Sequence, residues 1–570
     1  MKYYSGNEYI SLINIEEDLT INGLTFLSFN LNGNLFVDCK IYLKIYCENR
    51  KIDLKNSDFT LINYWIPELN ITKNNIKITL LTPKKQRGFI FNIKGKNIRA
   101  ELCFEYKNLF LNINTSYKLN PFYEINHNNY FNQIIFRFLQ GSNLFCLAFD
   151  AGKNGKYKIE KNRIILSSEI NNEINFNIGI GTEDMAAISS CIHFQRFGFK
   201  KFYNELNEWL SSKITQYKNN NINKIYNINL FFNYFFTNGK TIDTDELVCV
   251  TSRSPEYYVS GAYWDRDCLL WSFPAILMID KDRAAEMLNY VFKIQGKNFG
   301  IHSRQINGNI LECGFELDEL CAPFIALETY IKETGDINLL KKDYMQEILS
   351  KIKIKFFNFK HKKYMLFKTE LRPSDDMSLY FYNTYDNVLV WKSFLALEYI
   401  YKLSGNKKES KNWKKSAGLL KKDLKKLCIN KKNNIISYEF DCRGNYLLYE
   451  EPPGSLRLLD FYGFIDNDIR VCYENYLKWS YSKQNKYFYN KNIKESGCEH
   501  AKFPWTLSAA NSLLTDRYKK SGIDFFKQVK MDNFYACESV DSDTGIVKTG
   551  KSFATAAGFI AFAIKNGIKN

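Results

Sequence analysis

The periodicity of the apolar residues changes once along this chain of 570 residues, close to residue 196. Before that point, short segments such as 39–48 alternate apolar and polar residues, which is the period of a half-buried β-strand. Beyond it, apolar residues recur at steps of three and four, as in 317–331, which is typical of an amphipathic helix. We therefore expect a β-rich domain followed by a helical one.

These patterns predict three regions. Residues 1–195 should form an antiparallel β-sandwich, because many short strands separated by turns are typical of it, and Asn154-Gly155 is a hairpin-type turn signal among them. Residues 196–221 predict a linker helix followed by an Asn-rich linker. Residues 222–570 predict a mainly α catalytic domain, an (α/α)6 barrel built from about twelve helices in hairpins. Their predicted starts lie near residues 222, 264, 280, 315, 336, 385, 408, 454, 466, 503, 520 and 550.

Composition excludes several classes of protein. Apolar residues make up 45% and charged residues 24% of the chain, which excludes chain-wide disorder. No apolar run is long enough to predict a membrane-spanning helix, so we expect no membrane partner. The net charge of +17 would suit an anionic partner, but the lysines are scattered. They accompany other residues with A+T-rich codons, so we expect no nucleic acid partner. The N-terminal residues predict no secretory signal, and hence a cytoplasmic location.

Cysteine and histidine spacing predicts no metal site. The 14 cysteines contain no CxxC pair and the five histidines no HExxH pair, whereas a zinc site needs ligands at short spacing. Free thiols are expected without an export signal. We expect no cofactor.

The first stretch with chemical potential is 260–267, at a predicted helix start. It combines Trp264, Arg266 and Asp267. An arginine held by a carboxylate can present fixed hydrogen bonds to the hydroxyls of a sugar, and the aromatic side chain can contact the apolar face of the ring. The alternative is a helix N-terminus that carries acids because the helix dipole favours them.

A second acidic stretch, 314–321, also precedes predicted helical residues. Glu316 and Asp318 are candidates for substrate binding, and a carboxylate here could orient Arg266. Simple N-terminal charge is again the alternative.

A third stretch, 371–377, contains two adjacent carboxylates after a proline. Asp375 and Asp376 cannot both ionise cheaply if they are packed together, so one can keep its proton near neutral pH. A general acid needs this property. Arg372 begins the same stretch and is a further binding candidate. The alternative is an Asx turn or a helix cap.

Two later stretches complete the set. Glu538 follows apolar residues rather than a charge run, so it is a candidate general base, with a surface loop glutamate as the alternative. His500 and Trp505 could form a sugar-binding wall, although a core histidine fits nearly as well. Two carboxylates on loops at one end of a helical barrel meet the requirement for glycoside hydrolysis without a metal.

In this order the stretches resemble glycoside hydrolase family 125, the metal-independent exo-α-1,6-mannosidases. The matching segments are Trp264–Asp267, Glu316–Pro323, Arg372–Asp376, Phe440–Asn445, Pro453–Leu456, Gly497–His500 and Cys537–Ser539. The chain departs from the family pattern at Cys537, where the family has histidine, in the segment Asn383–Asn387, and in the closing segment Phe553–Phe559.

The resemblance implies inverting hydrolysis of a terminal α-linked mannose, with α-1,6 linkages favoured. It implies that an aspartate of RPSDD is the acid, for which we choose Asp375 over Asp376, and that Glu538 is the base. Arg266 and Asp267 would hold the sugar in the −1 subsite. The expected partner is an oligosaccharide.

Three alternatives remain at this point. A β-rich domain before an (α/α)6 barrel is similar to glucoamylases, so an α-glucosidase or debranching-type hydrolase on the same barrel is the first. A non-catalytic glycan-binding protein is the second, against which the intact acids argue. The third is an (α/α)6 lyase or epimerase, which would depend on histidine or tyrosine bases, and only His302 and His500 lie in the candidate stretches.

Overall fold

The computed structural model describes residues 2–48, 50–55 and 57–568. The chain divides into two compact units. The first unit contains Met1–Thr215, Phe235–Val248 and Ser252–Gly261, and the second contains Gln216–Tyr234, Cys249–Thr251 and Ala262–Asn570.

The first unit is built on one antiparallel sheet, which confirms the predicted antiparallel β-rich domain. Its strands are β1 (Tyr3–Gly6), β2 (Ser11–Ile15), β3 (Leu24–Ser28), β4 (Gly33–Cys47), β5 (Arg50–Lys51), β6 (Asp58–Ile62), β7 (Ile66–Ile71), β8 (Ile76–Leu81), β9 (Gly88–Asn112), β10 (Ser116–Leu119), β11 (Phe122–Asn128), β12 (Gln133–Gln140), β13 (Ser142–Asp150), β14 (Lys156–Glu160), β15 (Arg163–Ser167) and β16 (Asn171–Gly181). The main path of neighbours is β1-β2-β3-β4-β9-β16-β13-β12-β11.

The long strands β4 and β9 organise this sheet. They pair from Asn34 opposite Asn112 to Cys47 opposite Ile98. Within β4, every second side chain from residue 39 to residue 45 is buried, which confirms the strand predicted from the alternation in 39–48. Apolar side chains from many of the strands form one hydrophobic core.

The turn at Asn154-Gly155 does not close a hairpin, which corrects the expectation from the sequence. The Gly155 N–H donates to the Gly152 carbonyl, so a tight turn is present. However, β13 pairs with β12 and β16, and β14 pairs with β15 instead. Both edges of β13 are occupied, one by β12, which directly precedes it in the chain, and the other by β16, so the strand that follows the turn cannot pair with it.

Two helices follow the last strand, α1 (Asp184–Phe197) and α2 (Phe199–Lys213). Gly198 separates them with φ of +76°, a conformation that glycine adopts without steric cost. α1 packs closely on β16 at Gly179, which has no side chain. A Cβ atom at this position would lie only 2.2 Å from the Ala187 carbonyl oxygen. The sequence predicted α2 but placed α1 in the β region.

The second unit is rich in helices. The α-helices beyond residue 215 are α3 (Asn220–Phe236), α4 (Phe273–Ile279), α5 (Lys281–Tyr290), α6 (Leu317–Thr334), α7 (Asp343–Phe357), α8 (Thr384–Leu403), α9 (Lys407–Leu427), α10 (Arg470–Ser480), α11 (Thr506–Leu513), α12 (Lys519–Gln528) and α13 (Ala554–Gly567). Two π-helical segments, Arg266–Ser272 and Val291–Gln295, precede α4 and follow α5. The 3₁₀ turns among the described residues are Thr72–Asn74, Gly296–Asn298, Asn338–Lys341, Pro452–Gly454, Leu456–Leu459 and Asp516–Tyr518.

Short strands connect these helices. They are β17 (Asn238–Lys240), β18 (Leu247–Cys249), β19 (Ile301–Arg304), β20 (Ile310–Phe315), β21 (Tyr382–Asn383), β22 (Ile429–Asn430), β23 (Ile435–Ile436), β24 (Glu439–Phe440), β25 (Tyr446–Leu447), β26 (Phe488–Asn490), β27 (Lys494–Ser496), β28 (Ser539–Val540) and β29 (Val547–Thr549).

Most predicted helix starts coincide with a helix, but the stretch near residue 454 differs. It forms the two 3₁₀ turns Pro452–Gly454 and Leu456–Leu459. Consecutive prolines supply no backbone N–H donors, and a glycine directly after them has no helix preference, so an α-helix cannot propagate there. Within the described residues, no helix is both long enough and apolar enough to cross a bilayer.

Candidate active site

Arg266 is the centre of a buried ion-pair cluster at the start of the π-helical segment before α4. Its Nη1 donates to Glu316 at 2.7 Å and to Asp318 at 3.1 Å. Its Nη2 donates to Asp375 at 2.7 Å. The guanidinium therefore brings together three of the stretches identified in the sequence, and the second acidic stretch does orient Arg266. The cluster is buried except at Asp375.

A second buried arginine, Arg304, forms ion pairs with residues next to this cluster. Arg304, at the end of β19, forms ion pairs with Asp265 and, at 3.3 Å, with Glu319. Glu319 also accepts hydrogen bonds from the backbone N–H groups of Arg266, at 3.1 Å, and of Asp265. Burial raises the pKa of Glu319 well above its usual value, although Arg266 acts in the opposite direction. The Arg266 backbone is thereby held by a side chain far along the chain.

His302 adds a third type of group next to Asp375. It hydrogen-bonds to Glu316 and its Nδ1 lies 3.8 Å from Asp375. Burial raises the pKa of Glu316 to about 7, against the opposing effects of Arg266 and His302. The ring of Trp264 packs edge-on against His302, with centroids 5.6 Å apart.

Asp267 lies on the other side of Arg266. Its carboxylate accepts a hydrogen bond from the Thr555 hydroxyl at 2.8 Å and lies 3.6 Å from Arg266 Nε. Burial raises the pKa of Asp267 to about 7, although Arg266 lowers it. The Asp267 carboxyl group is therefore partly protonated near neutral pH.

The loop with the two adjacent aspartates is anchored by its own backbone and by two buried glutamates. The Arg372 carbonyl accepts from the Asp375 N–H, and the Asp376 carbonyl accepts from the Arg372 N–H, both at 2.8 Å. The Arg372 side chain donates to Glu439 at 2.6 Å, and the Ser374 N–H donates to Glu451 at 2.9 Å. Asp375 has a left-handed backbone with φ of +69°, a conformation that aspartate tolerates better than most residues.

His500 lies between the aspartate loop and Glu538. Its Nδ1 is 3.6 Å from Asp376 and its Nε2 is 3.7 Å from Glu538. Asp376 raises the pKa of His500 to about 9, with Glu538 adding to the effect and burial opposing it. His500 in turn lowers the pKa of Asp376. One cationic ring therefore contacts the carboxylates of both stretches.

The neutral-pH charge on His500 leads to a prediction about stability. Because its pKa is raised from 6.5 to about 9, its stabilising contribution is present below pH 6.5 and is lost as the pH rises through 9. We expect His500→Gln to melt below the unmodified protein at pH 6, with the difference narrowing by pH 10. Melting temperatures across this range test it. His361→Gln is the control, because burial lowers the pKa of His361 and no such narrowing should occur. A constant difference for His500→Gln would contradict the charge assignment.

Glu538 is held at the start of the β28–β29 hairpin. Its N–H donates to the Gly550 carbonyl and its carbonyl accepts from the Thr506 N–H, both at 3.1 Å. Its side chain is 6% exposed. Gly550 has φ of +56°, and a Cβ there would lie 2.5 Å from the Glu538 Cβ. The carboxylate position therefore depends on a glycine twelve residues further along the chain.

We expect Gly550→Ala to reduce activity about 100-fold, because it would displace Glu538, the predicted general base, and a displacement of a catalytic group by about 1 Å has an effect of that order. The measurement is the hydrolysis rate compared with that of Gly335→Ala. Gly335 has φ of +73° and open space around its Cβ position, so alanine there adds backbone strain without a clash. Equal activities of the two variants would show that Gly550 does not position Glu538.

The two predicted sugar-contacting tryptophans are buried. Trp264 is 3% and Trp505 is 2% exposed. The Trp505 indole N–H donates to the Ala501 carbonyl at 3.0 Å, and its ring lies beside His500. The Arg372 side chain is also buried, and it forms an ion pair with Glu439. In this structure Trp264, Trp505 and Arg372 therefore pack behind the residues that face the site.

The sequence did not identify Arg304, Glu439 or Glu451. All three are buried in the structure. Glu439 and Glu451 lie next to apolar or aromatic residues, and since a buried charge normally has a partner, a charge in such a segment is a signal for them. Arg304 lies between Ser303 and Gln305, and its sequence context carries no such signal.

Carboxylates near Arg266 also have the spacing of cation ligands. Atoms of His302, Glu316 and Asp375 lie within 4.8 Å of one another. However, Arg266 already donates to both of these carboxylates, so its guanidinium supplies the positive charge that a metal ion would otherwise bring to them.

A family of known enzymes matches the later part of the chain. Residues 355–564 match the family model of glycoside hydrolase family 125, described as metal-independent α-mannosidase. This segment contains the aspartate loop, His500 and Glu538. A sequence search of curated proteins finds no match.

Solved structures share the fold at low sequence identity. A bacterial glucoamylase complexed with acarbose has a TM-score of 0.65 and 14% identity, with 99% of this chain and 94% of that chain covered. A Streptococcus pneumoniae metal-independent α-mannosidase, in a non-productive complex with α-1,6-mannobiose, has a TM-score of 0.53 and 18% identity, with 64% of this chain and 97% of that chain covered. A putative kojibiose phosphorylase from human microbiome has a TM-score of 0.51 and 13% identity, with 98% of this chain and 86% of that chain covered.

The family match and the structural likeness confirm the resemblance stated from the motifs. The match covers the later part of the second unit, and the β-rich first unit precedes it. The chain is therefore a glycosidase that resembles glycoside hydrolase family 125 over residues 355–564.

Proposed function

We propose that the protein is an inverting, metal-independent glycosidase that removes terminal α-linked mannose from oligosaccharides, with α-1,6 linkages favoured. The observation that carries the proposal is the position of His500, 3.6 Å from Asp376 and 3.7 Å from Glu538. It makes the aspartate loop and Glu538 parts of one site, as a mechanism with two carboxylates requires.

In the proposed reaction, Asp375 is the general acid and Glu538 the general base. Asp375 transfers its proton to the glycosidic oxygen as the bond to the anomeric carbon breaks. Glu538 removes a proton from a water molecule, whose oxygen forms the new bond on the opposite face of the sugar. We expect the two carboxyl groups to be separated by roughly 6.5–9.5 Å, the distance that accommodates this water.

The surroundings of the two aspartates support the choice of Asp375. His500 lowers the pKa of Asp376, so that carboxylate is a poor proton donor. Arg266 and His302 both approach Oδ1 of Asp375, so we assign the transferable proton to Oδ2. Asp376 then acts as the anionic partner that keeps His500 charged.

The remaining residues are proposed to bind or orient the terminal sugar. Arg266 and Asp267 would contact its hydroxyls, with Glu316 and Asp318 fixing the guanidinium. We also propose that α3–α13 belong to an (α/α)6 barrel and that the first unit is a β-sandwich. The order of the elements and the likeness to glucoamylase support this architecture.

An α-glucosidase is the second candidate. The glucoamylase structure covers 99% of this chain with a TM-score of 0.65, whereas the mannosidase structure covers 64% with a TM-score of 0.53. The family match over the catalytic segment favours mannose, and the extent of the structural likeness favours glucose.

A direct comparison of two disaccharides separates these candidates. We expect release of mannose from α-1,6-mannobiose and little release of glucose from the α-1,6-linked glucose disaccharide, with rates unchanged by a chelator. The reverse preference would assign the protein to the glucosidases. A rate that disappears with the chelator and returns with added calcium or zinc would contradict the metal-independent mechanism.

A further inference from the structure

The first unit contains a large cavity. Its volume is about 780 Å³, within the range of sites that bind small molecules. Its lining comes from the loop between β11 and β12, the turn after β13, strand β16 and the end of α1. None of the residues assigned to hydrolysis belongs to this unit.

Amide side chains dominate the polar lining of this cavity. They are those of Asn129, Asn132, Asn154, Asn171, Asn175, Asn177 and Gln195. Each amide offers both a donor and an acceptor and carries no charge. This combination matches neighbouring hydroxyl groups, each of which also donates and accepts.

The charged groups of the lining do not favour an anion or a cation. Lys153, Glu169 and Glu173 line the cavity. Glu169 accepts a hydrogen bond from Asn154 at 2.9 Å, and Glu173 accepts from Asn92 at 2.7 Å. Glu173 also forms an ion pair with Lys94 at 3.4 Å, so Lys153 and Glu169 remain as one cation and one carboxylate. The surface is therefore polar but nearly neutral, which suits an uncharged ligand.

The lining amides are held in place from beneath. Asp150 is fully buried, and its carboxylate accepts hydrogen bonds from Asn177 at 2.8 Å and from Gln195 at 2.7 Å. Elsewhere in the lining, the Asn132 side chain donates to the carbonyls of Lys153 and Gly155, both at 3.1 Å. Because these side chains are already ordered, the protein loses less side-chain entropy when a ligand binds.

An aromatic side chain stands at the rim. Tyr130 is 87% exposed although its loop is ordered by Asn128, whose Oδ1 accepts from the N–H groups of Tyr130 and Phe131 at 3.1 Å. The ring of Phe131 contacts it edge-on, with centroids 4.6 Å apart. A fixed and exposed aromatic ring beside neutral amides provides an apolar face for the C–H side of a sugar ring.

We propose that this cavity is a second saccharide-binding site, which takes a segment of a neutral oligosaccharide or polysaccharide and is separate from the hydrolytic site. The ligand class rests in part on the proposed function, because a glycosidase is exposed to saccharides with many units. A chain bound here would remain attached while its ends are hydrolysed.

Electrophoresis of the full-length protein in gels that contain α-mannan or glycogen tests this site. We expect one of the two polysaccharides to retard the protein, and Tyr130→Ala to weaken that binding roughly tenfold. Tyr117→Ala is the matched control, because Tyr117 is a half-exposed tyrosine of the same unit outside the cavity lining. A double variant, Tyr130→Ala with Gln195→Ala, should bind more weakly still, while all variants should hydrolyse a small aryl glycoside at the unmodified rate.

The outcomes for this site and for the proposed function can be distinguished. Absence of retardation by both polysaccharides, or equal retardation of Tyr130→Ala and the unmodified protein, would overturn the second site and leave hydrolysis untouched. Retardation that depends on Tyr130 in a protein without hydrolytic activity would support the second site and contradict the proposed function.

Discussion

Replacing Glu538 with glutamine should reduce hydrolysis by roughly 10²–10⁴-fold, the contribution of a general base. The amide keeps the size and shape of the side chain but cannot remove a proton from water. Since the residue is held through its backbone by Gly550 and Thr506, the fold and substrate binding should be retained. Hydrolysis rates and calorimetric binding of α-1,6-mannobiose measure these two quantities separately.

Glu499→Gln provides the matched control for this experiment. Glu499 is exposed and immediately precedes His500, so its replacement changes the same charge near the same loop without removing the proposed base. The stereochemistry adds an independent check, because proton NMR of fresh product should show the β-anomer. An α-anomer, or near-normal turnover by Glu538→Gln, would mean that the base or the mechanism is assigned wrongly.

Replacing Arg266 with methionine should destabilise the protein by about 3–5 kcal/mol, because buried carboxylates would lose their cation. Glu316, Asp318 and Asp375 all accept hydrogen bonds from this one guanidinium. Hydrolysis should be lost as well, because the position of the proposed acid depends on the same group. Urea denaturation measures the change in the free energy of unfolding. Arg517→Met, which breaks an exposed pair with Glu474, should cost at most about 1 kcal/mol.

The pH dependence of the Arg266→Met variant identifies the cause of its instability. Burial already raises the pKa of Glu316 to about 7 and Arg266 opposes this effect, so without the cation the folded-state pKa values of the buried acids should rise further above their unfolded values. The penalty should therefore be largest at neutral pH and shrink as the pH falls toward 5, where the acids bind protons in the folded state. Adding Glu316→Gln should restore part of the stability by removing one unpaired charge. A pH-independent loss would point to packing rather than to unpaired carboxylates.

The sequence by itself determined the elements whose burial pattern is local. The alternation in 39–48 became β4, and the three- and four-residue steps in 317–331 became α6, because each period specifies which side of its own segment is buried. The candidate stretches were also visible before the fold was known. Arg266 with its acids and Asp375 beside Asp376 are candidates from residue type alone, while helix N-terminal charge and a turn or cap are the structural alternatives.

Only the tertiary structure decided which of these segments meet. Asn154-Gly155 looks like a hairpin turn, yet β14 pairs with β15 because both edges of β13 are already taken. The same holds for the buried charges: Arg304 pairs with Glu319, 15 residues away, and Glu439 pairs with Arg372, 67 residues away. A periodic pattern records that a side chain is buried but not what it is buried against, because the partner's position depends on the packing of the whole chain.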